Sequence, residues 1–270
     1  MGDKKRLYWN SCSFLYADYM LEKNYILANR NILSKLFKDS NHSYIASSMG
    51  SSNESIFRRT LIDCSKNDFE FVVIGWTHPE RTSILDITKD LDIEKLKEES
   101  ELNFLGNGPN KNIHCYIDKI PSKATNPSFL KFEPKGTDDT ILYTIALHNF
   151  FKQKGIPHLF LNMGKLDSNV LEARKSWLEG IDPKNYLSAN NNDTILQKMS
   201  FSFTEYYAKK AEKIVVKDSE IRKYKLLKEN SDEEYRKTGW VDDIGGHLGR
   251  LGYKDLFKIM HDYIIENNLV

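Results

Sequence analysis

The stretch Phe69–Trp76, Phe-Glu-Phe-Val-Val-Ile-Gly-Trp, constrains the fold more than any other part of the chain. A strand with one face in water alternates apolar and polar side chains, whereas Phe71, Val72, Val73 and Ile74 leave no polar face. Such a run has to be covered on both sides, as an inner strand of a parallel sheet is covered by helices. The flanking segments agree. Arg6-Leu7-Tyr8-Trp9 reads as a first short strand, and residues 17–37 then carry Met20, Leu21, Ile26, Leu27, Ile32 and Leu36 at helical spacing. Tyr44-Ile45-Ala46 is a second strand. Residues 53–66 form a second helical pattern, with Ile56, Phe57, Leu61 and Ile62 on one side and Ser52 or Asn53 as its cap. The order β-α-β-α-β implies right-handed crossovers and a doubly wound α/β layer.

Beyond Thr77 the pattern thins. Residues 86–101 are charge-rich and read as a solvated helix. Residues 102–136 hold Gly106, Gly108, Pro109, Pro121, Pro127, Pro134 and Gly136, the composition of an insertion or lid. Regularity returns at residues 138–154, where Ile141, Leu142, Ile145, Leu147 and Phe151 predict a helix closed by Gly155-Ile156-Pro157. His158-Leu159-Phe160-Leu161-Asn162 predicts a fourth strand. Residues 165–237 are mixed and mainly helical, and residues 253–265 form a final amphipathic helix. The fold class expected is a three-layer α/β/α sandwich with a mostly parallel central sheet, one domain over residues 1–270 with insertions at 86–137 and 165–237.

Composition narrows the classes of function. The 39 Lys+Arg against 38 Asp+Glu leave a formal charge of +1, without the basic excess that bulk nucleic-acid binding needs. No run nears the roughly 18 apolar residues of a membrane span. The first ten residues carry no signal-peptide core, so the chain reads as soluble and made in the cytosol. Cys12, Cys64 and Cys115 are widely spaced, which fits neither a disulfide framework nor a zinc site. His114 beside Cys115 has no second pair to complete a tetrahedron. Neither a Walker motif nor a G-x-G-x-x-G after a strand is present. No metal and no cofactor is expected.

In open parallel sheets, ligands sit beyond the carboxyl ends of the strands, at the point where strand order reverses. Those ends read Asn10-Ser11-Cys12-Ser13-Phe14, Gly50-Ser51-Ser52-Asn53, Gly75-Trp76-Thr77-His78 and Asn162-Met163-Gly164. A fifth segment, Asp242-Asp243-Ile244-Gly245-Gly246-His247, precedes the final helix as a glycine loop. A serine hydroxyl becomes a nucleophile when a base takes its proton, and the base needs an acid to hold its tautomer. Ser13, His247 and Asp243 supply these three types, with Asp242 as the other acid. Of the neighbours Cys12 and Ser13, cysteine is the more buriable and reads as core. Arg58, Arg59 and Arg81 either contact an anion or pin loops through carboxylates. Trp76 either lines a pocket or caps the sheet. His78 reads as a loop histidine, and His148 and His158 as packing or strand-edge residues.

Taken in order, Ser11-Cys12-Ser13-Phe14, Gly50-Ser51-Ser52-Asn53 with Ile56-Phe57-Arg58-Arg59, Val73-Ile74-Gly75-Trp76-Thr77 with Arg81, and Gly246-His247-Leu248-Gly249-Arg250 resemble the SGNH (GDSL-like) hydrolases. More narrowly, the chain resembles a subgroup common in bacteriophage and bacterial sequences, whose nucleophile segment reads G-C-S-F. The resemblance spans residues 6–85, 138–163 and 240–268, and it implies the flavodoxin-like SGNH fold. It implies Ser13 as nucleophile, His247 as general base and Asp243 as its orienting acid. It also implies an oxyanion hole from Ser13 and Gly50 N–H groups with Thr77, and substrate contacts from Asn53, Trp76 and Arg81. Two positions depart from the family pattern. Thr77 stands where the third donor is usually an Asn, and Asp243 lies four residues before His247 instead of three. The function implied is a serine esterase acting on a small ester or an acylated carbohydrate. The departures motivate the alternative, a non-catalytic SGNH-like structural or attachment protein with partners in a virus particle or in further copies of itself. A third reading is a carbohydrate-binding domain without chemistry.

Overall fold

The structure, a computed structural model, describes residues 5–12, 43–47, 51–79, 83–84, 115–116, 133–189, 194–215, 248 and 250–270. Among these the strands, in chain order, are β1 (Lys5–Asn10), β2 (Ser43–Ile45), β3 (Phe69–Trp76), β4 (Ser83–Ile84), β5 (Cys115–Tyr116), β6 (His158–Asn162) and β7 (Tyr186–Leu187). The helices are α1 (Asn53–Lys66), α2 (Glu133–Lys154), α3 (Ser168–Ala173), α4 (Lys175–Leu178), α5 (Ile195–Ser200), α6 (Phe203–Val215) and α7 (Arg250–Glu266). Five strands make one parallel sheet in the order β2-β1-β3-β6-β7, and β4 pairs antiparallel with β5.

The apolar run at 69–76 is the middle strand of that sheet. Val73 sits opposite Trp9 on one side and Leu159 on the other. Its two faces feed two cores. Phe71 and Val73 join Leu7, Trp9, Leu159 and Leu161 beneath Phe203 and Tyr207 of α6 and Leu256, Met260 and Ile264 of α7. Val72, Ile74 and Trp76 join Tyr8 and Phe160 beneath Ile56 of α1 and Ile141, Leu147 and Phe151 of α2. On this second face Trp76, Phe160 and Tyr186 stack across three neighbouring strands, with ring centroids 6.2 and 6.0 Å apart. Cross-strand aromatic pairs of this kind add to the burial they accompany. The result is the three-layer α/β/α arrangement that the sequence implied.

Three differences from the sequence expectation have local causes. Helix α2 begins at Glu133, inside the stretch whose Pro134 and Gly136 suggested a lid. Proline in a first helical turn forfeits no intrahelical bond, because those N–H groups have no helical acceptor. The end of α2 is as expected, with Gly155 at φ 64° and Ile156 N–H returning to the Phe151 carbonyl at 2.9 Å. Residues 165–189 and 194–215 pack into the sheet and its cores. They supply β7, and Leu171, Leu178, Met199, Phe203 and Tyr207 are buried in the cores. The buried Lys198 ties this segment together by donating to the Tyr263 hydroxyl at 2.6 Å and the Pro183 carbonyl at 3.1 Å. The final helix starts at Arg250, three residues earlier than its apolar pattern. The helical patterns at 17–37 and 86–101 lie outside the described residues.

Gly136 earns its place by close approach. A Cβ there would stand 2.0 Å from the Pro79 carbonyl oxygen, backbone against backbone. Gly136→Ala should therefore destabilise the chain by about 2 kcal/mol, as overpacking does. Urea unfolding reads this directly, and an unchanged midpoint would mean that the Pro79 loop yields freely.

Candidate active site

The strand order 2-1-3 puts the reversal point between β1 and β3, so their carboxyl ends, Asn10–Cys12 and Gly75–Thr77, lie side by side. The Ser11 hydroxyl bridges them by donating to the Gly75 carbonyl at 2.8 Å. Asn10 turns beneath α1, where its Nδ2 donates to Thr60 Oγ1 at 2.9 Å and the Ile56 carbonyl at 3.0 Å. Cys12 is fully buried in the core under α7, as its packing preference implied. The other wall is the start of α1. Ser52 caps it by accepting the Ser55 N–H at 3.2 Å, and Ser51, Ser52 and Asn53 are all buried.

Asn53 reaches across to β3. Its Oδ1 accepts the Thr77 N–H at 2.7 Å, and its Nδ2 donates to the Thr77 carbonyl at 3.2 Å and to Thr140 Oγ1 at 2.9 Å. The amide thus ties the start of α1 to the end of β3 and to α2. Trp76 is 0% exposed and belongs to the aromatic stack. Thr77 is also 0% exposed, yet its hydroxyl has no hydrogen-bond partner among the described residues. Ser47, just past β2, holds a second buried hydroxyl without a partner. Arg58 and Arg59 pair along α1 with Glu54 at 2.6 Å and Asp63 at 2.9 Å, each one helical turn away on the same helix. Ser13, Gly50, Arg81, Asp242, Asp243 and His247 lie outside the described residues. Among the described residues, no group of three or more His, Cys, Asp or Glu side chains is placed to hold a metal. No described helix is long and apolar enough to cross a membrane.

One buried polar pair escaped the sequence reading. His148 of α2 and His158 of β6 meet ring to ring, Nδ1 to Nε2 at 2.8 Å, while His158 Nδ1 lies 3.0 Å from the Ile156 carbonyl. A carbonyl only accepts, so His158 carries its proton on Nδ1 and its Nε2 accepts from His148 Nδ1–H. His158, accepting at Nε2, is therefore neutral. Burial pushes His158 down to about 4, with the neighbouring His148 lowering it further, and burial followed by Lys152 lowers His148. The pair sits at the start of β6, at the opposite end of the sheet from the carboxyl ends of β1 and β3.

No protein-family model and no curated protein matches the chain. Among solved structures it is similar to the crystal structure of an acetyl xylan esterase, AlAXEase. The identity is 11%, the match covers 96% of this chain and 99% of that one, and the TM-score is 0.38.

Proposed function

We propose that the chain is a serine ester hydrolase of the SGNH kind, working in the crevice over β1 and β3. The observation that carries this reading is the Thr77 hydroxyl. Leaving a buried hydroxyl unpaired costs about 1–3 kcal/mol, and valine would fill the same volume without that cost. A developing oxyanion at the carboxyl end of β3 is a partner that would repay it. The Thr77 N–H is already taken by Asn53, which leaves the hydroxyl as the donor that residue can offer.

In this mechanism Ser13, next in the chain after Cys12, attacks the ester carbonyl carbon while His247 takes its proton. Asp243 holds the imidazole in the required tautomer, with Asp242 as the other acid. The negative oxygen of the tetrahedral intermediate accepts from the Ser13 and Gly50 N–H groups and from the Thr77 hydroxyl. Collapse expels the alcohol, which leaves with the proton from His247. Water then attacks the acyl-serine with the same base, releasing the acid and restoring Ser13. The substrate class proposed is a small ester or an acylated carbohydrate, with Arg81 on the substrate side.

A fluorophosphonate should label the wild-type chain, and the chain should hydrolyse simple acyl esters. Absence of both would leave the non-catalytic structural or attachment reading. Thr77→Val separates function from packing by giving opposite signs. It should lower kcat by about a hundredfold, the usual loss for one oxyanion donor. It should also raise unfolding stability by about 1 kcal/mol, because an unpaired buried hydroxyl is gone. Unchanged kcat with raised stability would remove Thr77 from the oxyanion hole.

A further inference from the structure

We propose that Asn53 is the positioning residue of the crevice, the side chain that fixes where the Thr77 hydroxyl stands; the catalytic part of the proposal rests on the esterase reading. Asn53 meets both the N–H and the C=O of Thr77, at 2.7 and 3.2 Å. A side chain that grips both polar groups of one residue fixes the backbone on each side of its Cα, and with it the direction of the Cβ and hydroxyl. The amide is itself held. Its Nδ2 donates to Thr140 Oγ1 at 2.9 Å, and the Thr140 hydroxyl donates in turn to the Gly136 carbonyl at 2.7 Å. The start of α1, the end of β3 and the first turns of α2 thus converge on one side chain.

The same loop is pressed from two further sides. A Cβ on Gly136 would strike the Pro79 carbonyl, and a Cβ on Gly164 would lie 2.7 Å from the His78 Cα and 2.8 Å from its N. These contacts hold residues 78 and 79, while Asn53 alone among the described side chains grips Thr77 itself. Asn53 commits its Oδ1 and its Nδ2 to Thr77 and Thr140, so its amide acts through Thr77. Misplacing a reacting group by about 1 Å costs on the order of a hundredfold in rate, whereas affinity for the rest of the substrate is little affected.

The test uses the full chain with Asn53→Ala, Thr77→Val and the double variant, each assayed for ester hydrolysis and for amide exchange over residues 76–79. Asn53→Ala should lower kcat by about 10- to 100-fold with KM within about twofold. The double variant should be no slower than the slower single variant, because Asn53 works through the hydroxyl that Thr77→Val removes. Exchange over 76–79 should accelerate in Asn53→Ala. Leu178→Ala, a core variant in α4, supplies the comparison for lost stability and should keep its kcat. Additive losses, or an equal fall in kcat in Leu178→Ala, would reduce Asn53 to a structural residue. Unchanged exchange over 76–79 in Asn53→Ala would overturn the brace whatever the activity. A wild-type chain without activity or label would overturn the esterase reading separately, leaving the exchange result to decide whether Asn53 fixes Thr77.

Discussion

Ser13→Ala should leave a folded chain that takes no fluorophosphonate label and hydrolyses esters about ten-thousand-fold more slowly, or worse. The size follows from the chemistry. Without the hydroxyl no acyl-enzyme forms, and the residual rate is what binding and the oxyanion donors give to direct attack by water. His247→Ala should fall by a similar factor, and the double variant by no more than either, since nucleophile and base work as one unit. Asp243→Ala and Asp242→Ala then assign the acid, because the one that orients His247 should lose activity steeply while its neighbour changes little. Label retained in Ser13→Ala would point to another nucleophile. Cys12 is a poor candidate for that role, being fully buried among Trp9, Val73 and Leu256. Persistence of full hydrolysis in Ser13→Ala would end the serine mechanism.

Mild acid should destabilise the folded chain before its carboxylates are protonated. A free imidazole titrates near 6.5, whereas folded His158 is held down to about 4. Between those values the unfolded chain binds a proton that the folded chain refuses, so stability declines as pH falls. The contribution is complete above pH 6.5 and lost by pH 4. Each unit is worth about 1.4 kcal/mol, so the full loss is about 3 kcal/mol, to which the lowered His148 adds. Lys152 opposes a second positive charge in this region, whereas Asp182 favours it. Urea midpoints between pH 6.5 and 5 isolate the histidines from the carboxylates. Over that window the wild type should lose about 2 kcal/mol. His158→Asn, which can still donate toward the Ile156 carbonyl, should show a much shallower slope. A flat wild-type profile would mean that the pair accepts a proton without cost.

Strands with enough apolar side chains were legible in the sequence. β1, β2, β3 and β6 all fall where their runs of Leu, Ile, Val and aromatic residues placed them, and β3 is interior because both its faces are apolar. β7 was not legible, since Tyr186–Leu187 is too short to show a period and becomes a strand only by pairing with Phe160 and Leu161. The start of α2 was hidden because Pro134 and Gly136 are local signals of a break. Gly136 answers instead to the Pro79 backbone, which is distant in sequence. The crevice shows the same division. The strand ends that could carry a site were readable, but that those of β1 and β3 lie side by side was not. Nor was the commitment of Asn53 to Thr77 and Thr140 readable, because a capping or ligand-binding Asn has the same sequence signature as a bracing one. His148 and His158 were legible singly but not as partners, because a helix end and a turn between them set their approach.

The central position of β3 also orders the steps by which the chain can assemble. Its partner β1 precedes it by a whole βαβ unit, whereas its other partner, β6, follows only after a long intervening stretch. Until residues 158–162 are made and docked, β3 offers an unpaired edge with apolar side chains on both faces, a template for pairing with other chains. Non-local parallel pairing is slow, and the exposure lasts as long as the pairing takes. Refolding yield should therefore fall with protein concentration, and fragments ending before β6 should aggregate, however well their first three strands are formed.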